Sequence, residues 1–168
     1  NFLNDFSIGN ACPLVIDEVF FDYQWNMSFR SRHLAGEKSH KSEISRFARN
    51  DNKQSFAGNS EALTFTLSGI SKILGLPQMK LSWIVVSGPK ELAEEACRRL
   101  EVIADAYLSV NTPVQNALPE WLSGREAVIS EILLRVQDNY ASLLKMARAH
   151  SGIEVLKSEG GWYAVLRM

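Results

Sequence analysis

Three short, nearly continuous apolar runs, each fenced by proline, glycine or serine, constrain this chain most. Leu14, Val15 and Ile16 follow Pro13, ALTFTL fills positions 62–67, and LSWIVV fills 81–86 ahead of Ser87-Gly88-Pro89. Such runs, near-continuous in hydrophobicity, read as strands buried on both faces. The first is expected to continue through Asp17, Glu18, Val19, Phe20 and Phe21, a strand that ends in carboxylates. Burial on both faces requires helices on both sides, so the expected fold is α/β, a mostly parallel sheet flanked by helices.

The rest of the chain supplies those helices. Ser87 and Pro89 suit the start of one, with Leu92, Ala96, Leu100, Ile103, Ala104, Tyr107 and Leu108 on one face and an end near Val110. Asn111-Thr112-Pro113 interrupts the pattern. A second long helix is expected over 125–150, its buried stripe formed by Val128, Ile132, Leu133, Val136, Tyr140, Leu143, Leu144 and Ala147, with Gly152 ending it. Residues 153–156 and 161–168 read as two short strands joined across Ser158-Glu159-Gly160.

Composition bounds the function. The chain has 168 residues, 46% hydrophobic and 22% charged, as globular proteins do, and a net charge of −1 gives no reason to expect nucleic acid or an anionic membrane as partner. No apolar stretch is long enough to span a bilayer and no signal pattern opens the sequence, so a cytoplasmic location is expected. Cys12 and Cys97 read as buried reduced thiols, and with His33, His40 and His150 they show no ligand spacing, so no metal is expected. Residues 30–53 carry seven Lys/Arg and three Asp/Glu with few large apolar groups, the pattern of a solvated loop with a helical turn near Ile44 to Ala48.

One segment carries chemistry. In TLSGISKILGLPQMKLSW, at 66–83, Lys72 follows an apolar run and a small-residue turn, and Lys80 stands eight residues later beyond a Gly-Leu-Pro bend. Two amines with different tasks fit this layout. A desolvated lysine attacks a carbonyl to form a Schiff base, whereas a lysine on a turn pairs with a phosphate.

VIDEVFFDY at 15–23, followed by LSGISKILGLPQMKLSWI at 67–84, resembles the cofactor core of the pyridoxal-phosphate-dependent aminotransferases of class I/II, the fold-type-I family. The resemblance runs over essentially the whole chain. It implies pyridoxal 5'-phosphate as cofactor and an amino acid and a 2-oxo acid as substrates. Lys72 would hold the cofactor aldehyde and then move the substrate proton. Asp17 would sit at the pyridine nitrogen, and Lys80 and Ser68 would contact the phosphate. A lyase on the same cofactor, or a sensing domain without turnover, would share these residues.

Three positions depart from the family pattern. Phe20 stands where a tyrosine usually contacts the cofactor's phenolic oxygen. Gly69 stands where the phosphate serine is usual, leaving Ser68 one residue off register, and Lys80 replaces a bidentate arginine with a point charge. The resemblance further implies that residues 1–110 belong to a large cofactor-binding domain and 111–168 to a smaller C-terminal one. The parent enzyme would be a homodimer of which this is a central to C-terminal piece, inactive alone and prone to self-association. Arg167 lies too early to grip a substrate carboxylate.

Overall fold

The three apolar runs become one sheet, β1 (Leu14–Asp17), β2 (Thr64–Gly69) and β3 (Ser82–Ser87). The computed structural model describes residues 1–25, 55–150 and 152–168, and the basic stretch at 30–53 lies outside the described residues. β1 pairs parallel with β2, Leu14 opposite Thr64 and Asp17 opposite Leu67, and β2 pairs antiparallel with β3, Gly69 opposite Ser82. The sheet is therefore mixed, in the order β1-β2-β3. Helices α1 (Phe2–Gly9), α2 (Ile70–Ile73), α3 (Lys90–Asp105), α4 (Thr112–Ser123) and α5 (Arg125–Arg148), and a hairpin of β4 (Glu154–Val155) with β5 (Leu166–Arg167), complete an α/β architecture. The chain divides into two compact units, Asn1–Val19 with Lys53–Leu122 and Phe20–Asn52 with Ser123–Met168.

In the first unit the two faces of the sheet differ. Side chains alternate along a strand, so Leu14 and Ile16 share a face with Thr64, Thr66 and Ser68 and with Trp83, Val85 and Ser87, while Val15 and Asp17 share the other with Phe65, Leu67, Gly69, Ile84 and Val86. Thr64 is fully buried, yet Val15 is 65% exposed. The expectation of burial on both faces therefore holds on one face only among the described residues. The strand is also shorter than its apolar run. After Asp17 the main chain turns, with the Val19 N–H donating to Asp17 Oδ1 at 3.0 Å, a side-chain turn that competes with further ladder pairing.

Several local expectations change for physical reasons. Ser87 is the last residue of β3 and its hydroxyl donates to Phe56 O at 3.2 Å, so it does not cap α3, whose cap position is Pro89. α3 buries Ala96, but Leu92 and Ile103 are exposed, and Tyr107 and Leu108 fall beyond the helix end. Asn111-Thr112-Pro113 opens a helix: Asn111 Oδ1 accepts from the Val114 N–H, and Pro113, which lacks an N–H, costs nothing in a first turn. Cys12 and Cys97 are free and exposed rather than buried. No helix among the described residues is long and apolar enough to cross a membrane.

In the second unit, α5 buries Ile129, Leu133 and Gln137, a stripe at fourfold spacing, and Tyr140 continues it. The Tyr140 hydroxyl donates to Leu156 O and accepts from the Ser158 N–H, both at 3.3 Å, which ties the start of the C-terminal hairpin to the helix. Gly160 bridges to Gln24, and a Cβ on it would lie 2.6 Å from Tyr23 O, so no other residue fits without a shift of backbone.

Candidate active site

Parallel pairing brings the carboxyl ends of β1 and β2 side by side, and antiparallel pairing makes β3 enter at the same end. Asp17 closes β1, Ser68 and Gly69 close β2, and Lys72 lies in α2, which follows without a linker. Lys80 stands two residues before β3. Strand direction alone thus gathers four residues spread along the sequence at one end of the sheet, where α/β folds bind ligands.

Each position has a local cause. α2 is pinned by Ile70, fully buried, and by the buried Ile73, which leaves Lys72 half-buried between them instead of fully desolvated. The Ile70 N–H donates to Leu81 O at 3.2 Å, so the turn that carries Lys72 and the chain entering β3 are joined directly. Gly69 permits that approach: a Cβ there would lie 2.9 Å from both Leu81 O and Ser82 Cα. The 3-10 turn Pro77–Met79 then delivers Lys80 in a left-handed conformation, φ 52 and ψ 43, with its side chain exposed. For a residue with a Cβ that conformation costs on the order of 1 kcal/mol.

The four residues are not equivalent. Asp17 is exposed and shares its face with Leu67 and Gly69, whereas Ser68 starts from the opposite face. Asp17 uses Oδ1 to accept from the Val19 N–H. No hydrogen bond or ion pair joins Ser68 or Lys80 to another described side chain. Phe20 belongs to the second unit, where its ring meets those of Trp162 and Tyr163 edge-on with centroids 5.6 Å away in each case. Arg167 pairs with Glu154 across the β4–β5 hairpin.

Sequence reasoning missed Glu18. Its carboxylate accepts from Ser55 Oγ at 2.7 Å and from the Phe56 N–H at 2.8 Å. Strand alternation was the available signal, because consecutive acidic residues at a strand end point to opposite faces. The partners, lying far along the chain, carry no signal of their own.

The aminotransferase class I and II family profile matches residues 4–168. The glutamate-pyruvate aminotransferase AlaA of Escherichia coli strain K12 is 28% identical over 106 residues, which are 61% of this chain and 26% of that protein. The alanine aminotransferase of Mycobacterium tuberculosis strain H37Rv is 24% identical over 110 residues, 64% of this chain and 26% of that protein. The chain thus spans about a quarter (26%) of the length of these curated relatives. Among solved structures, an alanine aminotransferase from Pyrococcus furiosus superposes with a TM-score of 0.64 at 18% identity, over 94% of this chain and 34% of the other. A double mutant of Thermus thermophilus aspartate aminotransferase gives 0.59 at 17% identity, over 98% and 36%. With the fold of these enzymes and a family match from residue 4 to residue 168, the chain belongs to the aminotransferase class I and II family.

Proposed function

We propose that this chain is part of a pyridoxal-phosphate-dependent aminotransferase that moves an amino group between an amino acid and a 2-oxo acid. The observation that carries the reading is the meeting of Asp17, Lys72 and Lys80 at the carboxyl ends of β1 and β2 in a chain of this family. The names of the relatives, glutamate-pyruvate and alanine aminotransferase, favour a small 2-oxo acid as amino acceptor.

The donor set fits the cofactor. A carboxylate with one oxygen spent on its own turn keeps the other for a protonated ring nitrogen, and an exposed ammonium and a hydroxyl suit a phosphate. The left-handed Lys80 supports this, since strain held at a charged residue marks positions where geometry serves a ligand. Ser68 would reach the phosphate from the side of the sheet opposite to Asp17. When bound, the cofactor supplies an electron-withdrawing ring that eases loss of the substrate Cα proton. Lys72 Nζ would hold the cofactor, take that proton and return it, work that suits an amine on a short turn pinned by Ile70 and Ile73. Asp17 would keep the ring nitrogen protonated.

Activity is proposed for the whole protein, as a cytoplasmic homodimer. The division into a cofactor-binding part through residue 110 and a smaller part from 111 to 168 belongs to the same reading. The test is to load the full-length protein with pyridoxal phosphate, reduce with borohydride and map the modified peptide. Label on Lys72 is expected, and label on any other residue overturns the assignment. Supplying amino donors singly should convert the bound cofactor to its amine form; an unchanged spectrum with every donor would exclude transamination. Lys72→Ala should abolish covalent attachment, and Asp17→Ala should weaken cofactor binding and suppress proton abstraction.

A further inference from the structure

We propose that Glu18 is a positioning residue for Asp17: it clamps the turn after β1 so that Asp17 presents one fixed oxygen to the cofactor nitrogen. This inference rests on the role given to Asp17 above. Four bonds carry it. The Glu18 N–H donates to Leu67 O at 2.9 Å and so closes the last β1–β2 pair, Asp17 opposite Leu67. The Glu18 side chain, half-buried, accepts from Ser55 Oγ at 2.7 Å and from the Phe56 N–H at 2.8 Å. Val19, the next residue, donates its N–H to Asp17 Oδ1 at 3.0 Å. The peptide that orients the Asp17 carboxylate is therefore held between Glu18 and its partners.

The anchor itself is well held. Ser55 Oγ accepts from the Ala57 N–H at 3.0 Å, capping the 3-10 turn Phe56–Gly58, and Phe56 O accepts from the Ser87 hydroxyl at the far end of β3. The Phe56 N–H is one of the donors that a helical start leaves without an internal partner, so a carboxylate is well matched to it. With both oxygens occupied by donors from one turn, Glu18 has fixed orientation as well as charge, and supporting contacts of this kind are what hold a functional group in its productive geometry.

Glu18→Gln keeps the shape but sets an amide N–H against a donor, so the clamp loosens. In the full-length protein the variant is expected to bind pyridoxal phosphate about tenfold more weakly, and to exchange the Val19 amide hydrogen faster even without cofactor. Ser55→Ala, which removes only the hydroxyl donor, is a milder second variant, expected to weaken binding about threefold. The deciding measurement is a cycle with Asp17→Ala. If Glu18 acts through Asp17, the double variant binds the cofactor no more weakly than Asp17→Ala alone; additive losses, or an unchanged Val19 exchange rate, overturn the proposal. Should Asp17→Ala itself bind cofactor normally, the role of Asp17 fails, an outcome distinguishable from failure of the clamp.

Discussion

The two compact units fill their interiors differently. In the first, small polar residues share the interior with apolar ones: Asn4, Ser7, Thr64 and Thr66 are buried along with Leu14, Ile70, Ile73 and Leu81, while Phe2, Phe6, Val15 and Ile84 face solvent. Asn59 joins this interior through its side-chain amide, which donates to Asn4 Oδ1 at 2.9 Å and to Thr64 Oγ1 at 2.8 Å, and Thr64 in turn donates to Ala62 O at 2.9 Å. In the second unit the interior is aromatic. Tyr23 is fully buried, with ring centroids 6.5 Å from Phe20 and 5.2 Å from Trp162, and Trp25 lies 4.6 Å from Tyr140. Directional bonds add to aliphatic packing in the unit that carries the candidate site, whereas large aromatic rings dominate the interior of the other. Removing volume should therefore hurt the second unit most, and removing single polar atoms should register in the first.

The largest effect is expected at Leu133, buried at the middle of α5. Leu133→Ala should cost about 3 kcal/mol in denaturant unfolding, transfer and cavity terms together. A loss below about 1 kcal/mol would show that packing does not dominate there.

Next is Tyr23. Burial, and after it the negative charge of Asp22, pushes its phenol up to about 12, so the folded state favours the neutral form more than the unfolded chain does. A raised value means stability that is complete below the unfolded value near 10 and lost as pH climbs through the folded one. Unfolding free energy should fall by about 2 kcal/mol between about pH 10 and pH 12, and Tyr23→Phe should flatten that decline. An equal decline in the variant would assign it to other groups.

The contrast between the units also explains what was legible in the sequence. β2, β3 and α5 were legible from apolar runs and a helical stripe. In α5 the apolar Ile129 and Leu133 are buried, whereas in β2 the buried side chains are Thr64 and Thr66 and in β3 Ile84 is exposed, so there the runs marked the strands without marking an apolar interior. α1 gave no such signal: its buried residues are Asn4 and Ser7, so its hydrophobic side points outward. α4 was hidden by Pro119 inside the helix, a residue that removes a backbone donor and ordinarily argues for a break. The placing of Lys72 after β2 and of Lys80 before β3 was legible from spacing, whereas the role of Asp17 at the end of β1 entered only through the family resemblance. The Glu18 clamp was not legible, since it joins a strand end to Ser55 and Phe56, and the aromatic cluster joins Phe20 and Tyr23 to Trp162 in the same long-range way.

The finest test uses two threonines on one strand. Thr64 and Thr66 occupy the same face of β2 and both are buried, but only Thr64 has partners on its hydroxyl; that of Thr66 has none among the described residues. Valine has nearly the same shape, so each substitution removes a hydroxyl and little else. Thr64→Val leaves the Ala62 carbonyl with only the longer bond from the Asn59 amide, at 3.4 Å, and takes an acceptor from Asn59, and should cost about 1.5 kcal/mol. Thr66→Val removes a polar atom that sits beside Ile16 and Val85 on the same face, and should raise stability by about 1 kcal/mol. Opposite signs in urea midpoints would show that bonds made, rather than polarity as such, hold this sheet. If Thr66→Val is as damaging as Thr64→Val, the hydroxyl of Thr66 is satisfied, and the first unit depends on an interior polar network wider than the Asn4–Asn59–Thr64 chain.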